Sequence, residues 1–270
     1  MYSGSTFTVI SGRVMGAHQK IDRVARLHLQ RLVPKVQFPA IRTILHFEGG
    51  NGPDSIKRKS PAKNEPWHYF QPFDESDTQL LVQIQDHYLA LVKSLKDKDD
   101  VRAGFEAAWL AHAVVDGLTP AHHYPYEEKL VELMSGKGIE TRTTIKHKLV
   151  MPGNNRVHQI KNNWKMWGPK GLFVTHSAFE LGFATLIAPM RLYRAMPSAE
   201  ILMAFERLPL DVWYRQVAQD IASSHFYDSF YKTGWTLPLA RRVRRQLAPK
   251  IVQAVTLIWY RAANEASSSK

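Results

Sequence analysis

Trp109-Leu110-Ala111-His112-Ala113-Val114-Val115-Asp116-Gly117-Leu118-Thr119-Pro120-Ala121-His122-His123 is the stretch on which the reading of this chain turns. His112 and Asp116 stand four apart, so on a helix they share a face and can grip one ion. Phe105 and Trp109 continue that stripe, which makes it an inward face. An imidazole and a carboxylate buried there need a partner, because burying a polar group alone is costly. A metal is one such partner. The helix is expected to stop at Gly117, and Pro120 turns the chain so that His122 can come back to the same place.

A second pair repeats the spacing in Thr175-His176-Ser177-Ala178-Phe179-Glu180. Phe173, Phe183 and Ile187 share a face with His176 and Glu180. Two helices that each bring a His and a carboxylate to a common core are how helical bundles build multi-metal sites. There is no cysteine, so disulfides and thiolate ligands are excluded. Imidazole and carboxylate donors suit Zn²⁺, with Mn²⁺ or Fe²⁺ also allowed on ligand type. Against this stands coincidence, since twelve histidines make chance pairs common. The argument for metal comes from two inward pairs and a third His at a turn, taken together.

Working outward, helical periodicity dominates and strand signals are few, so an all-α fold is expected. Ile21, Val24, Ala25, Leu29 and Leu32 predict a helix from about Ala17 to Val33, stopped by Pro34. Residues 39–74, with many Gly and Pro and the basic run Lys57-Arg58-Lys59, read as loop. Ser76 or Asp77 is expected to cap a helix carrying Leu80, Ile84, Leu91 and Leu95, and Asp100 the next one. Residues 124–171 read as a basic insertion within a single domain spanning 1–270. It would hold a short helix near Glu128–Met134 and then a β-hairpin or irregular lobe. Helices follow at about Leu172–Met196, Ser198–Glu206, Asp211–Ser224 and Leu237–Ala263, with a fraying tail from Asn264 to Lys270.

With 270 residues and 44% hydrophobic residues the chain can bury a sizeable core. A net charge of +12 favours anionic partners: phosphate esters, nucleic acid or an acidic membrane surface. The first residues show no basic, apolar leader and no stretch is long enough for a transmembrane segment, so a cytoplasmic protein is expected as the sequence is written. An upstream start would reopen secretion.

The run His112-x3-Asp116-x5-His122, with Pro120 before the last His, resembles the zinc-binding motif of the zinc-dependent phospholipases C and single-strand-specific zinc nucleases. Other positions resemble that superfamily in the same order: His18 in Gly16-Ala17-His18-Gln19, Asp54, and His68 fourteen residues later in Trp67-His68-Tyr69-Phe70, then His176 and Glu180. The resemblance covers about residues 16 to 190. It implies a multi-helix phospholipase C-like domain with clustered zinc and the hydrolysis of a phosphate ester. By it, Asp116 bridges two ions, His68 and His112 complete one site, and His18 belongs to the other. His122, His176 and Glu180 hold the third, while Asp54 ligates zinc or acts as general base. Secreted members bind one zinc through an N-terminal Trp, where this chain has Met1-Tyr2, so two or three ions are implied. Here His122 and His176 are also further apart, separated by the insertion with Lys137, Arg142, Lys146, Lys148, Arg156, Lys161 and Lys165.

The leading expectation is a phospholipase C-like phosphodiesterase acting on a phospholipid or other phosphodiester. The rivals are a single-strand nuclease and a non-catalytic lipid- or nucleic-acid-binding protein on the same scaffold. As the resemblance goes, the nucleases tend to carry Asp at the second acidic position, so Glu180 leans towards phospholipase. His123 competes with His122 as ligand. His28, His46, His87 and His225 read as ordinary core or surface residues, and His147 and His158 lack a paired carboxylate. Trp164 and Trp167, among Lys161 and Lys165, can stack on bases, enter a lipid interface or simply pack the lobe. Arg241-Arg242-Val243-Arg244-Arg245 reads as a solvated face or an anion-docking patch. The run from Glu48 to Pro53 is expected to shape the turn that presents Asp54.

Overall fold

The computed structural model describes residues 16–48, 51–55, 68–138 and 141–268, and is all-α, with no strand among them. The Lys57–Lys59 run, Trp67 and the first fifteen residues lie outside the described residues.

One helix organises the rest. It spans Asp100–Gly117 and buries residues on almost every side: Ala103, Gly104, Ala107, Ala108, Ala111 and Val114, besides His112 and Asp116. Its small residues let neighbours come close. A Cβ on Gly104 would lie 2.6 Å from Thr43 Cγ2, and one on Gly117 would lie 2.2 Å from the Tyr214 hydroxyl. Naming the helices in chain order, α1 is Ala17–Leu32, α2 Ile41–Glu48, α3 Gln79–Lys96 and α4 this central helix. Packed on α4 are α1, α2, α3 and the C-terminal helix. Asp99, not Asp100, caps α4 by accepting the Arg102 N–H. The residue before α3 is Thr78, not Ser76 or Asp77; Asp74 and Asp77 instead accept backbone N–H groups in the preceding turns.

Two of the large buried rings on the central core have their polar tips satisfied. Trp259 Nε1–H donates to Ala107 O at 3.2 Å and Tyr214 OH donates to Val114 O at 3.0 Å, so both large rings lie inside without a stranded donor.

Residues 124–171 make a second, smaller core of Tyr126, Leu130, Leu133, Met134, Met151 and Met166. Its helices are α5 (Tyr126–Leu133), α6 (Ile145–Leu149) and α7 (Arg156–Trp167). The expected hairpin is absent among the described residues because its turn-like residues are helix caps. Thr144 accepts the His147 N–H and Asn155 accepts the His158 N–H.

Other boundaries also moved. α8 runs Leu172–Ile187 and stops far short of Met196; Ala188 keeps helical angles, but Pro189 has no N–H to give to the carbonyl four residues back, and Leu192 has φ 53°. After α9 (Ala199–Glu206) and α10 (Leu210–Ser223) comes an unforeseen α11, Phe226–Thr233. The last helix is broken into α12 (Leu237–Arg242), a widened π turn at Val243–Leu247 and α13 (Ala248–Ser267). Pro249 has no N–H to give to the carbonyl four residues back, and the wide turn sits there. α13 takes in most of the tail expected to fray. Among the described residues no helix is long and apolar enough to cross a membrane.

Candidate metal centre

The eight side chains singled out from the sequence come together where α1, α4, α8 and the 68–70 and 120–123 segments meet. Asp116 is the hub. His68 Nδ1 lies 2.5 Å from its Oδ2, His112 Nε2 3.2 Å from the same oxygen, His18 Nε2 3.3 Å from Oδ1 and His122 Nδ1 3.7 Å from Oδ1. Asp54 stands 3.8 Å from His112 Nε2. At the other end Glu180 Oε1 is 2.9 Å from His122 Nε2 and 3.0 Å from His176 Nε2. The imidazoles stack in pairs: His18 on His112 with centroids 4.0 Å apart, His122 on His176 at 5.0 Å.

Three sets of donor atoms lie within 4.8 Å of one another: His18, Glu48 and His112; Asp54, His68 and His112; and His122, His176 and Glu180. Asp54 and Glu180 are the least buried carboxylates, with side chains 20% and 14% exposed. Tyr126 meets His176 edge-on at 5.2 Å and stacks on Tyr69, so the small core of residues 124–171 abuts this end of the centre.

Glu48 is the residue that sequence reasoning missed. It is fully buried at the end of α2, with Oε1 3.1 Å from His112 Nδ1 and 3.8 Å from His18 Nδ1. The residue expected only to shape a turn therefore faces the two stacked rings on the side away from Asp116. With its Nδ1–H given to Glu48, His112 turns Nε2 towards Asp116 and Asp54, and offers that nitrogen's lone pair there once a metal displaces its proton. That is the carboxylate–imidazole arrangement that orients metal-binding histidines. The signal that could have found it is Ile41, Ile44 and Glu48 at helical spacing, a carboxylate standing where an apolar residue would.

His122 is fixed the same way by backbone: its Nδ1–H donates to His68 O at 2.9 Å, which leaves the Nε2 lone pair towards Glu180. Burial pushes this imidazole down to about 3, so a proton is a poor way to reconcile that lone pair with a carboxylate oxygen. A cation between them is a good one. His18 Nδ1 and Nε2, His112 Nε2 and His176 Nδ1 are buried and make no hydrogen bond among the described residues. Every ion-pair partner that the described residues offer Glu48, Asp54, Asp116 and Glu180 is a histidine. Carboxylates and imidazoles gathered away from bulk water form a donor set that a bound cation would stabilise. This donor set fits a cluster of divalent ions of the zinc type.

The carboxylates are disposed to stay ionised. Burial pushes Asp116 and Glu180 up, but the positive charge of the N-terminal amine and, after it, nearby imidazoles, His122 and His112 at Asp116, His176 and His122 at Glu180, outweigh it, and both lie well below the usual range. Asp54 is likewise lowered, burial being offset by His112 among others. Burial opposes charge on His112 as well, yet Glu48 and Asp116 raise it well above the ordinary value. Asp22, one turn beyond His18, is the exception: burial and the nearby Glu48 push its carboxyl well up.

The remaining histidines fall elsewhere. His123 turns away and donates from Nε2 to Gly117 O at 2.8 Å, leaving His122 in the centre. His87 pairs with Glu106, His225 with Asp228, and His46 with Asn51. In the insertion His158 accepts the Asn154 N–H. His28 is buried with no hydrogen bond to its ring nitrogens among the described residues, and nothing in the structure explains it.

Compared with protein-family models, with curated proteins and with solved structures, the chain matches none.

Proposed function

We propose that this chain is a metal-dependent phosphoric-ester hydrolase, a phospholipase C-like phosphodiesterase working with two or three zinc ions. The observation that carries the reading is the aim of the histidines. Two of them, His112 and His122, have their Nδ1–H groups spent on Glu48 and on a backbone carbonyl, which directs their Nε2 atoms at Asp116 and Glu180. The residues to hold the ions are His18, Asp54, His68, His112, Asp116, His122, His176 and Glu180.

When bound, such ions supply Lewis-acid polarisation of a phosphate and a water acidic enough to attack at neutral pH. The chain's own groups do the rest. Asp54 is ionised and the most exposed carboxylate of the centre, so it can take a proton from an attacking water and pass it to solvent. Asp116, buried among four imidazoles, holds them in one arrangement. The overall +12 charge draws a phosphodiester towards the centre.

The test is metal analysis followed by a substrate panel. After zinc reconstitution and dialysis, elemental analysis should find two or three ions per chain, and bis-p-nitrophenyl phosphate should be hydrolysed until a chelator is added. Phosphatidylcholine, phosphatidylinositol, single-stranded DNA and RNA then separate phospholipase from nuclease. A folded chain that takes up no transition metal defeats the proposal.

A further inference from the structure

The metal centre makes no use of one face of the inserted lobe. On α7, Val157, Ile160 and Trp164 are 63%, 68% and 68% exposed. They stand at i, i+3 and i+7, so they form one stripe along the helix. The residues that α7 buries, Asn162 and Met166, lie on the other side, so the stripe is not the fringe of the lobe's core. Leu149 and Val150, both exposed, extend the patch. Trp167 Nε1–H donates to Leu149 O at 2.9 Å and seats that segment beside α7. A contiguous apolar patch facing water marks an interaction site more often than chance exposure does.

The charge around it has one sign. From residue 141 to residue 179 the chain carries seven Lys and Arg and no Asp or Glu. Lys161 and Lys165 border the stripe on its next helical row. They are exposed, as is Lys170, and none of the three forms an ion pair among the described residues. Along that same flank of α7 opens a cavity of about 320 Å³, lined by His158, Asn162, Lys165, Lys170 and Thr175, the neighbour of His176.

We infer that α7 lies flat on an anionic membrane surface, with Val157, Ile160 and Trp164 in the headgroup–acyl boundary and Lys161 and Lys165 against acidic headgroups. An apolar stripe with Trp, edged by lysine, is the pattern of an interfacial helix. Single-stranded nucleic acid would instead use aromatic faces for stacking, and two of the three stripe residues are aliphatic. The docking needs no metal and stands apart from the phosphodiesterase reading.

Co-sedimentation with phosphatidylcholine vesicles, with and without phosphatidylserine, tests it. Binding should need phosphatidylserine and weaken as salt rises above about 0.1 M. Trp164→Ala and Ile160→Ser should each weaken it about tenfold, through lost apolar burial. Lys161→Gln and Lys165→Gln should each cost about fivefold. All four side chains face solvent, so melting temperature and hydrolysis of soluble bis-p-nitrophenyl phosphate should not change, which separates failed docking from failed catalysis. Absence of binding to phosphatidylserine vesicles overturns the inference. So does binding indifferent to both Trp164→Ala and Ile160→Ser, or a Trp164-dependent affinity for single-stranded oligonucleotide without affinity for vesicles.

Discussion

α4 and α8 carry the same four-residue spacing of His and carboxylate, yet the structure puts the two pairs to different use. On α4 the helix is enclosed on nearly all sides, and Asp116 is within 3.7 Å of four imidazoles. On α8 the helix is half open to solvent, and Glu180 meets two imidazoles at the rim beside the inserted lobe. One motif thus makes a hub where its helix is central and an edge where its helix is peripheral. What decides is the number of segments that converge on the carboxylate, which the spacing of the motif does not encode.

Exchanging each carboxylate for its amide is the sharpest way to break that comparison. Asp116→Asn removes the negative charge shared by four imidazoles, so more than one ion should leave and activity should disappear. If the lost ions bind about a hundredfold above their dissociation constants, the melting temperature should fall by about 5–10 °C. Glu180→Gln should release one ion, keep the others and lower the melting temperature by less. Elemental analysis and calorimetry on both variants decide the matter. Equal metal loss from the two would dissolve the distinction between hub and edge.

Glu48→Gln sharpens the hub side. The amide oxygen can still accept the His112 Nδ1–H, but its charge is gone. Metal affinity should fall about 10- to 100-fold while the ion count at saturation is kept. A variant that permanently lacks one ion would instead make Glu48 a direct ligand, joined to His18 and His112.

The smallest effect concerns His123, the neighbour that turned away. Burial pushes it down to about 4 from an ordinary 6.5. Between those values the unfolded chain binds the proton and the folded chain does not. Its contribution to stability is therefore whole above about pH 6.5, is lost as the pH falls towards 4, and falls no further below that. The slope is at most about 1.4 kcal/mol per pH unit. Metal-free His123→Asn should show a shallower loss of stability over that window, and an unchanged slope would show that His123 is not held neutral.

The pairs on α4 and α8 were legible because a helix converts a spacing of four into a shared face; Phe183 and Ile187 mark the inward face of α8 as expected, whereas Phe105 and Trp109 stay half-buried and Phe173 is exposed. That all eight residues would meet was an expectation from resemblance, since nothing local brings Asp54 or His68 to His112. Glu48 was hidden for a physical reason: α2 is eight residues long, and its buried end carries a carboxylate in an apolar position. The lobe misled because Asn and Thr serve turns and helix caps alike, and only the hydrogen bonds from Asn155 and Thr144 tell them apart. Pro189 and Pro249 mark the end of α8 and the widened turn before α13, although the apolar rhythm around them continues across both.

The two ends of the centre share a clasp. His68 O accepts the His122 Nδ1–H, and His122 O accepts the Phe70 N–H at 3.1 Å. The main chain of a residue beside the hub thus sets the tautomer of a residue at the rim. Whatever seats His68 seats His122 too, so occupation of either end readies the other, and a titration with metal should rise more steeply than independent sites allow.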